Sequence, residues 1–338
     1  MTSRTSWTRH ITLIVSLVAA TSCATIPSIA PFSEQTDRMV SGINGGYTAS
    51  QLQLAAVNEQ QAKALAKAWA PTATALTGVV AYSQALTSVA TAGAEGSKAA
   101  GNLADALNGL ITSFNVAAIP ANFVEGFKAI NAQIAVVRAK RSLHDAVEAA
   151  EPAVSLLSMI LSEQLKDLSM LHDQTSQNAL LNHRANQSAM VDYVEAERAA
   201  EARVLRILRR ILDYQAKGSS ATQEDLEAIT GLDPAAKASN LEAREAHWME
   251  AVKRHQSHLE AYRDRYAEFV RREEELNMSR RVGAATFSKA QIAVQSWAGA
   301  HSKLKAALDK KEPPDFSAFF AAVRDVYSAF SDGRALAE

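Results

Sequence analysis

Histidine and carboxylate side chains spaced along a helix are the first places to look for metal or acid–base chemistry. One such group is His247, Glu250, His255 and His258. Residues three apart share a helix face, so His255 with His258, or His247 with Glu250, could contribute two ligands to one ion. A di-metal carboxylate bundle, however, needs Glu-x-x-His from two helices, and the long helical segments contain none. His255 also falls on an apolar heptad seam, where a packed histidine is the simpler expectation. Hydrolytic machinery leaves no trace: there is no Gly-x-Ser-x-Gly, no His-Glu-x-x-His and no glycine-rich phosphate loop. Carboxylate pairs occur throughout the charged helices and single out no site. The expectation is a non-enzymatic chain with no catalytic residue, no metal and no cofactor.

A second group is Arg203, Arg206, Arg209 and Arg210, interleaved with Val204, Leu205, Ile207 and Leu208. Basic and apolar alternation can suit an anionic membrane surface. With Glu195, Glu197 and Glu201 just upstream, a solvated flank of a coiled coil explains it better. A near-neutral chain, with formal charge −1, gives no electrostatic case for nucleic acid. A third group is the stripe Phe316, Phe319, Phe320, Val323, Val326, Tyr327 and Phe330. It holds four of the ten phenylalanines within the last 23 residues. Such a stripe either docks on its own bundle or offers an amphipathic anchor to a partner groove. Phe316, Phe319, Phe320, Val323, Tyr327 and Phe330 are therefore the candidate partner interface.

The N-terminus carries an address. Arg4 and Arg9 precede a ten-residue apolar run, Ile11 to Ala20, too short to span a bilayer, and Ala20-Thr21-Ser22 then leads into Cys23. This resembles the lipobox of bacterial lipoproteins, in which a small-residue triplet precedes the cysteine that receives diacylglycerol. The resemblance implies cleavage between Ser22 and Cys23 and lipidation of Cys23. The family's sorting logic, with Ala24 after the cysteine, implies the outer membrane of a bacterial envelope, facing the periplasm. Independently of the resemblance, Cys23 is the only cysteine and has no disulfide partner in the chain. Loss of the leader removes two positive charges and takes the formal charge from −1 to −3.

The elements that must carry these groups read as all-α: an elongated bundle of long antiparallel, coiled-coil-like helices. Five regions are expected: a signal peptide over 1–22, a flexible tether over 23–47, and an Ala/Gly-rich, low-charge helical region over 48–150. A long charged helical hairpin follows over 151–312, then a C-terminal amphipathic aromatic helix over 313–338. Pro27, Pro31, Gly42, Gly45 and Gly46 mark the tether, and Pro71 is expected to end or kink the first helix. Between Thr72 and Ala121 stand only three charges, Glu95, Lys98 and Asp105. That segment is either a tightly packed core or a membrane-inserting one, and the interrupting Asn102, Asn108, Asn115 and Pro120 favour the core.

Pro152 suits a helix start, and helical sequence then runs to Gln215, about 95 Å if straight. Val154, Leu157, Leu161, Leu165, Leu168 and Leu171 form its seam. After a turn at Lys217-Gly218-Ser219-Ser220 and a stop at Gly231 to Pro234, a second rod carries Trp248, Val252, His255, Leu259, Tyr262, Tyr266 and Phe269 at alternating steps of four and three. Asp315 is the expected cap of the last helix. The functional expectation is a lipid-anchored envelope scaffold that spaces or recruits a partner protein or a second copy of itself. The pairing of long rods with one poorly charged segment also resembles α-helical pore-forming toxins. That resemblance implies a membrane-acting alternative and covers no motif.

Overall fold

A computed structural model describes residues 28–91, 96–114, 119, 121–218, 241–310 and 312–335. The protein is all-α, and no strand occurs among the described residues. The helices are α1 (Ala30–Val57), α2 (Glu59–Thr91), α3 (Gly96–Ser113), α4 (Val124–Arg138), α5 (Leu143–Lys217), α6 (Leu241–Lys310) and α7 (Ser317–Ala335).

The frame is an antiparallel pair, α5 and α6, in one continuous register. Near one end His144 pairs with Asp309 and Glu148 with Lys305. The ladder continues through Glu151–His301, Ser162–Gln295, Asp173–Arg280, Arg184–Glu273 and Glu197–His255, ending at Gln215–Glu245. At about 1.5 Å per residue, the 75 residues of α5 extend roughly 110 Å. The expected hairpin is therefore present and starts earlier than Glu151. Ser142 caps α5, its side chain accepting the Asp145 N–H at 3.1 Å, and Pro152 lies inside the helix rather than at its start. The turn segment Ser219–Ser220 and the stop at Gly231 to Pro234 lie outside the described residues.

Around the lower half of this pair pack α1, α2, α3, α4 and α7, sharing one apolar core. The 23–47 tether needs correction, because α1 is helical from Ala30 with Phe32, Met39, Val40, Ile43 and Tyr47 buried. Pro31 sits in its first turn, where a missing N–H costs nothing. The glycines read as chain breakers are contact points. A Cβ on Gly46 would lie 2.4 Å from the Thr286 side chain on α6, and one on Gly45 about 3.0 Å from the Phe330 ring on α7. Hydrogen in place of a side chain lets three helices approach closely at no cost in helical hydrogen bonds.

The break expected at Pro71 falls at Asn58 instead. Asn58 adopts an extended backbone, and its Oδ1 accepts the Gln61 N–H at 3.1 Å, ending α1 and opening α2. α2 runs on through Pro71. The described part of the low-charge segment is core: Leu76, Val79, Tyr82 and Leu86 of α2 and Leu103, Leu107 and Leu110 of α3 are all buried. Among the described residues no helix is long and apolar enough to cross a membrane.

Asp315 does cap α7, accepting the Ser317 N–H at 3.0 Å and the Lys303 ammonium at 3.1 Å. Those bonds, led by Ser317, hold its carboxyl down to about 2 from 3.8. A depressed carboxyl stabilises the fold above its unfolded pKa, and that contribution disappears as pH falls through the folded one. Asp315→Asn should therefore flatten the loss of stability between pH 4 and pH 2, read from denaturation midpoints. An unchanged slope would remove Asp315 as a source of that pH dependence.

Candidate functional site: the two-helix arm

Beyond the body, α5 and α6 continue as a two-helix arm whose apolar clusters draw on no other helix. Met190 and Val194 close against Phe269, with Leu259, Tyr262 and Tyr266 packed beside them. Further out, Val204 and Leu208 meet Val252 under Trp248, and Ile207 and Ile211 lie under Trp248 and Tyr214. The seam read from Trp248 to Phe269 is the buried side of this arm: Val252 and Phe269 are buried and the other five positions half-buried.

Midway along the arm, a carboxylate faces two imidazoles. Glu197 on α5 approaches His255 Nδ1 at 2.6 Å through Oε2 and His258 Nδ1 at 3.3 Å through Oε1. The His255 bond, opposed by partial burial and assisted by His258, holds the Glu197 carboxyl below the usual glutamate range. His258 Nδ1 is itself buried, yet its contact is too poorly aligned to count as a hydrogen bond. The Tyr193 ring sits 4.9 Å from that of Tyr262 and 6.5 Å from that of His258, closing one side.

Of the sequence candidates, His255 and His258 thus come together, whereas His247 turns its ring edge-on to Trp248 at 5.4 Å and Glu250 is exposed. Glu197 was not singled out by spacing, because its partners lie 58 and 61 residues away. Its signal was the antiparallel register, which can be counted only once both rods are aligned.

Nearer the tip, Arg203, Arg206, Arg209 and Arg210 are all exposed, and none forms an ion pair among the described residues. They lie opposite the seam, as a solvated flank should. Beside them Leu205 and Leu212 are 47% and 50% exposed, with Met249 on α6 at 45%. Among the described residues, the outer part of the arm therefore presents unpaired positive charge next to exposed apolar side chains.

Of the candidate interface residues in the aromatic stripe, Phe316, Phe319 and Val323 dock on the protein's own body instead. Phe316, Phe319, Val323 and Val326 are buried, and Phe32 of α1 packs 5.6 Å from the Phe316 ring and 5.8 Å from that of Phe319. The side chains point at α1 and α6 because those helices supply a larger apolar surface than α7 alone can find. Phe320 and Phe330 are half-buried, and only Tyr327 remains exposed. Ser22 and Cys23 lie outside the described residues.

Two polar groups of the body resemble catalytic constellations, the first fully buried and the second reaching the surface only at Glu151. Ser50, His172 and Ser279 are fully buried, and the Ser50 hydroxyl pairs with His172 Nε2. Gly283 makes room for the ring, since a Cβ there would lie 2.2 Å from His172 Cε1. In the second, the Tyr82 hydroxyl meets His301 Nε2 at 2.9 Å, and His301 Nδ1 meets Glu151 Oε2 at 2.6 Å. Both tie helices of the body together through buried polar contacts, although His172 Nδ1 has no hydrogen-bond partner. At the base of the arm is a polar cleft of about 500 Å³ lined by His183, Asn186, Arg265 and Arg272. Arg272 is already engaged by Glu268 and the Ala56 carbonyl, and Arg265 lies over Tyr262.

The molecule is thus an all-α protein with a multi-helix body and a protruding antiparallel arm. No protein-family model, curated protein or solved structure matches the chain.

Proposed function

We propose that this is a non-enzymatic lipoprotein of the bacterial envelope, anchored through Cys23 in the outer membrane. It faces the periplasm and uses its arm to hold or recruit a partner protein away from the membrane. The observation that carries the reading is the placement of α1 relative to the arm. Phe32 stacks 6.3 Å from Trp297, at the level where α1 begins, and α1 then climbs toward Asn58 at the base of the arm. From Trp297 to Leu241 at the outer end of α6 is about 85 Å of helix. A lipid on Cys23, a few residues before α1, would attach at the end of the body opposite the arm tip. A tethered molecule built this way presents Leu205, Leu212, Met249 and the adjacent arginines at a distance from the anchor. The partner fitting that tip is an envelope protein with an acidic and apolar surface; nucleic acid finds no support in the overall charge.

Labelled palmitate fed to cells making the protein should enter wild type and not Cys23→Ser. A photo-crosslinking residue at Leu212 should trap a partner that the same residue at exposed Met159 of the body does not. Wild type without label would sink the anchor, and equal trapping at both positions would sink the role of the arm. The membrane-acting alternative has weaker support, because the segment it requires packs as α2 and α3 in the core. Release of dye from liposomes by protein lacking residues 1–22 would revive it.

A further inference from the structure

We infer that the middle of the arm is a binding site for a borderline divalent transition metal, Zn(II) in the first instance, held by Glu197, His255 and His258. Ligand atoms from the three residues lie within 4.8 Å of one another. A tetrahedral zinc with bonds of about 2.0–2.2 Å needs its ligands roughly 3.3–3.5 Å apart, so small side-chain rotations suffice. The two imidazoles come from one helix at a spacing of three, and the carboxylate comes from the facing helix across the seam. Backbone packing thereby fixes both halves of the site before an ion arrives.

Two features are hard to explain by packing alone. One carboxylate faces two imidazole Nδ1 atoms, and one of these, on His258, is buried without a hydrogen-bond partner. An ion between the three would satisfy that nitrogen as a ligand and replace the His255–Glu197 contact with two bonds to one centre. Imidazole and carboxylate are ligands that zinc and its neighbours accept, whereas magnesium and calcium prefer all-oxygen sets. The His258 side chain is 44% exposed, so solvent reaches the centre and a fourth position is left for water. The other candidate, His144 with Asp145 and Glu148, offers a single imidazole. Its two nitrogens already face Asp145 and Asp309, on more exposed side chains. It serves as the control.

Bound metal would join α5 to α6 halfway along the arm, which goes beyond the scaffold reading and does not depend on lipidation. The test is calorimetric titration of the full mature chain with Zn(II), alongside His255→Ala, Glu197→Gln and His144→Ala. Wild type should bind about one equivalent, and His255→Ala should weaken binding at least roughly tenfold. Glu197→Gln, which keeps the shape of the seam, should also weaken it, while His144→Ala matches wild type. Co(II) should give wild type the visible absorption of a four-coordinate ion with nitrogen ligands, and that absorption should disappear in both arm variants. Circular dichroism checks that each variant remains helical. The inference is overturned if wild type binds no Zn(II), if the two arm variants titrate like wild type, or if His144→Ala is the variant that loses the ion.

Discussion

Replacing Phe319 with alanine should lower the stability of the body by about 3–5 kcal/mol, the usual cost of deleting a buried aromatic ring. Phe319 is 1% exposed and lies between Phe32 of α1 and the neighbouring rings of α7. Its loss leaves a cavity where three helices meet, and long helices cannot collapse around one missing ring. Truncation before Pro313 should do more, since it also removes Phe316, Val323 and Val326 and uncovers the apolar face of α1. Domains of ordinary stability have about 5–15 kcal/mol in total, so the truncated body should melt early and without a sharp transition. Thermal and urea unfolding of the three proteins measure this. Unaltered melting after truncation would mean that α7 is not docked in solution and is free for a partner.

Acidification from pH 6.5 to pH 4 should cost the fold about 3 kcal/mol through His172 alone. Burial pushes this imidazole down to about 4 from 6.5, only slightly countered by the charge of Asp173. The folded protein therefore keeps the ring neutral while the unfolded chain protonates it. Stability from this source is complete above pH 6.5 and falls as pH drops toward 4. Below pH 4 both states carry the proton and the loss stops. Urea midpoints at pH 7, 5.5 and 4 for wild type and His172→Gln would isolate the effect, because only wild type should show the extra decline. Parallel curves would mean that water reaches the ring. Gly283→Ala bears on the same contact, since its methyl would displace a ring with no free space around it.

How much of this was legible in the sequence depended on the kind of signal. The α5–α6 pair was readable because Val154 to Leu171 and Trp248 to Phe269 repeat with the period of a helix seam, a local property. α1 was not. Gly42, Gly45 and Gly46 look the same in a list of residues whether they loosen a chain or admit a neighbouring helix, and only the partners Val326, Phe330 and Thr286 distinguish the two. The direction of the α7 stripe was equally hidden. Periodicity shows that Phe316, Phe319 and Val323 share a face, but not whether α1 or another molecule covers it. Glu197 required a pairing across the hairpin, and a register error of one helical turn would have placed a different carboxylate opposite His255. Pro71 and Pro152 misled for a related reason: a proline removes one backbone bond, which a helix packed on several neighbours can lose without ending.

The unbroken register from His144–Asp309 to Gln215–Glu245 has a mechanical consequence. α5 and α6 cross from body to arm without a change of element, so the arm has no hinge in its described length and moves with the body as a lever. From the level of Gly283 to the outer end of α6 is about 63 Å of helix, so a tilt of about 10° there sweeps that end through roughly 11 Å. Small repacking around Ser50, His172 and Gly283 would then appear at Leu205 and Leu212 as a displacement approaching the width of a helix.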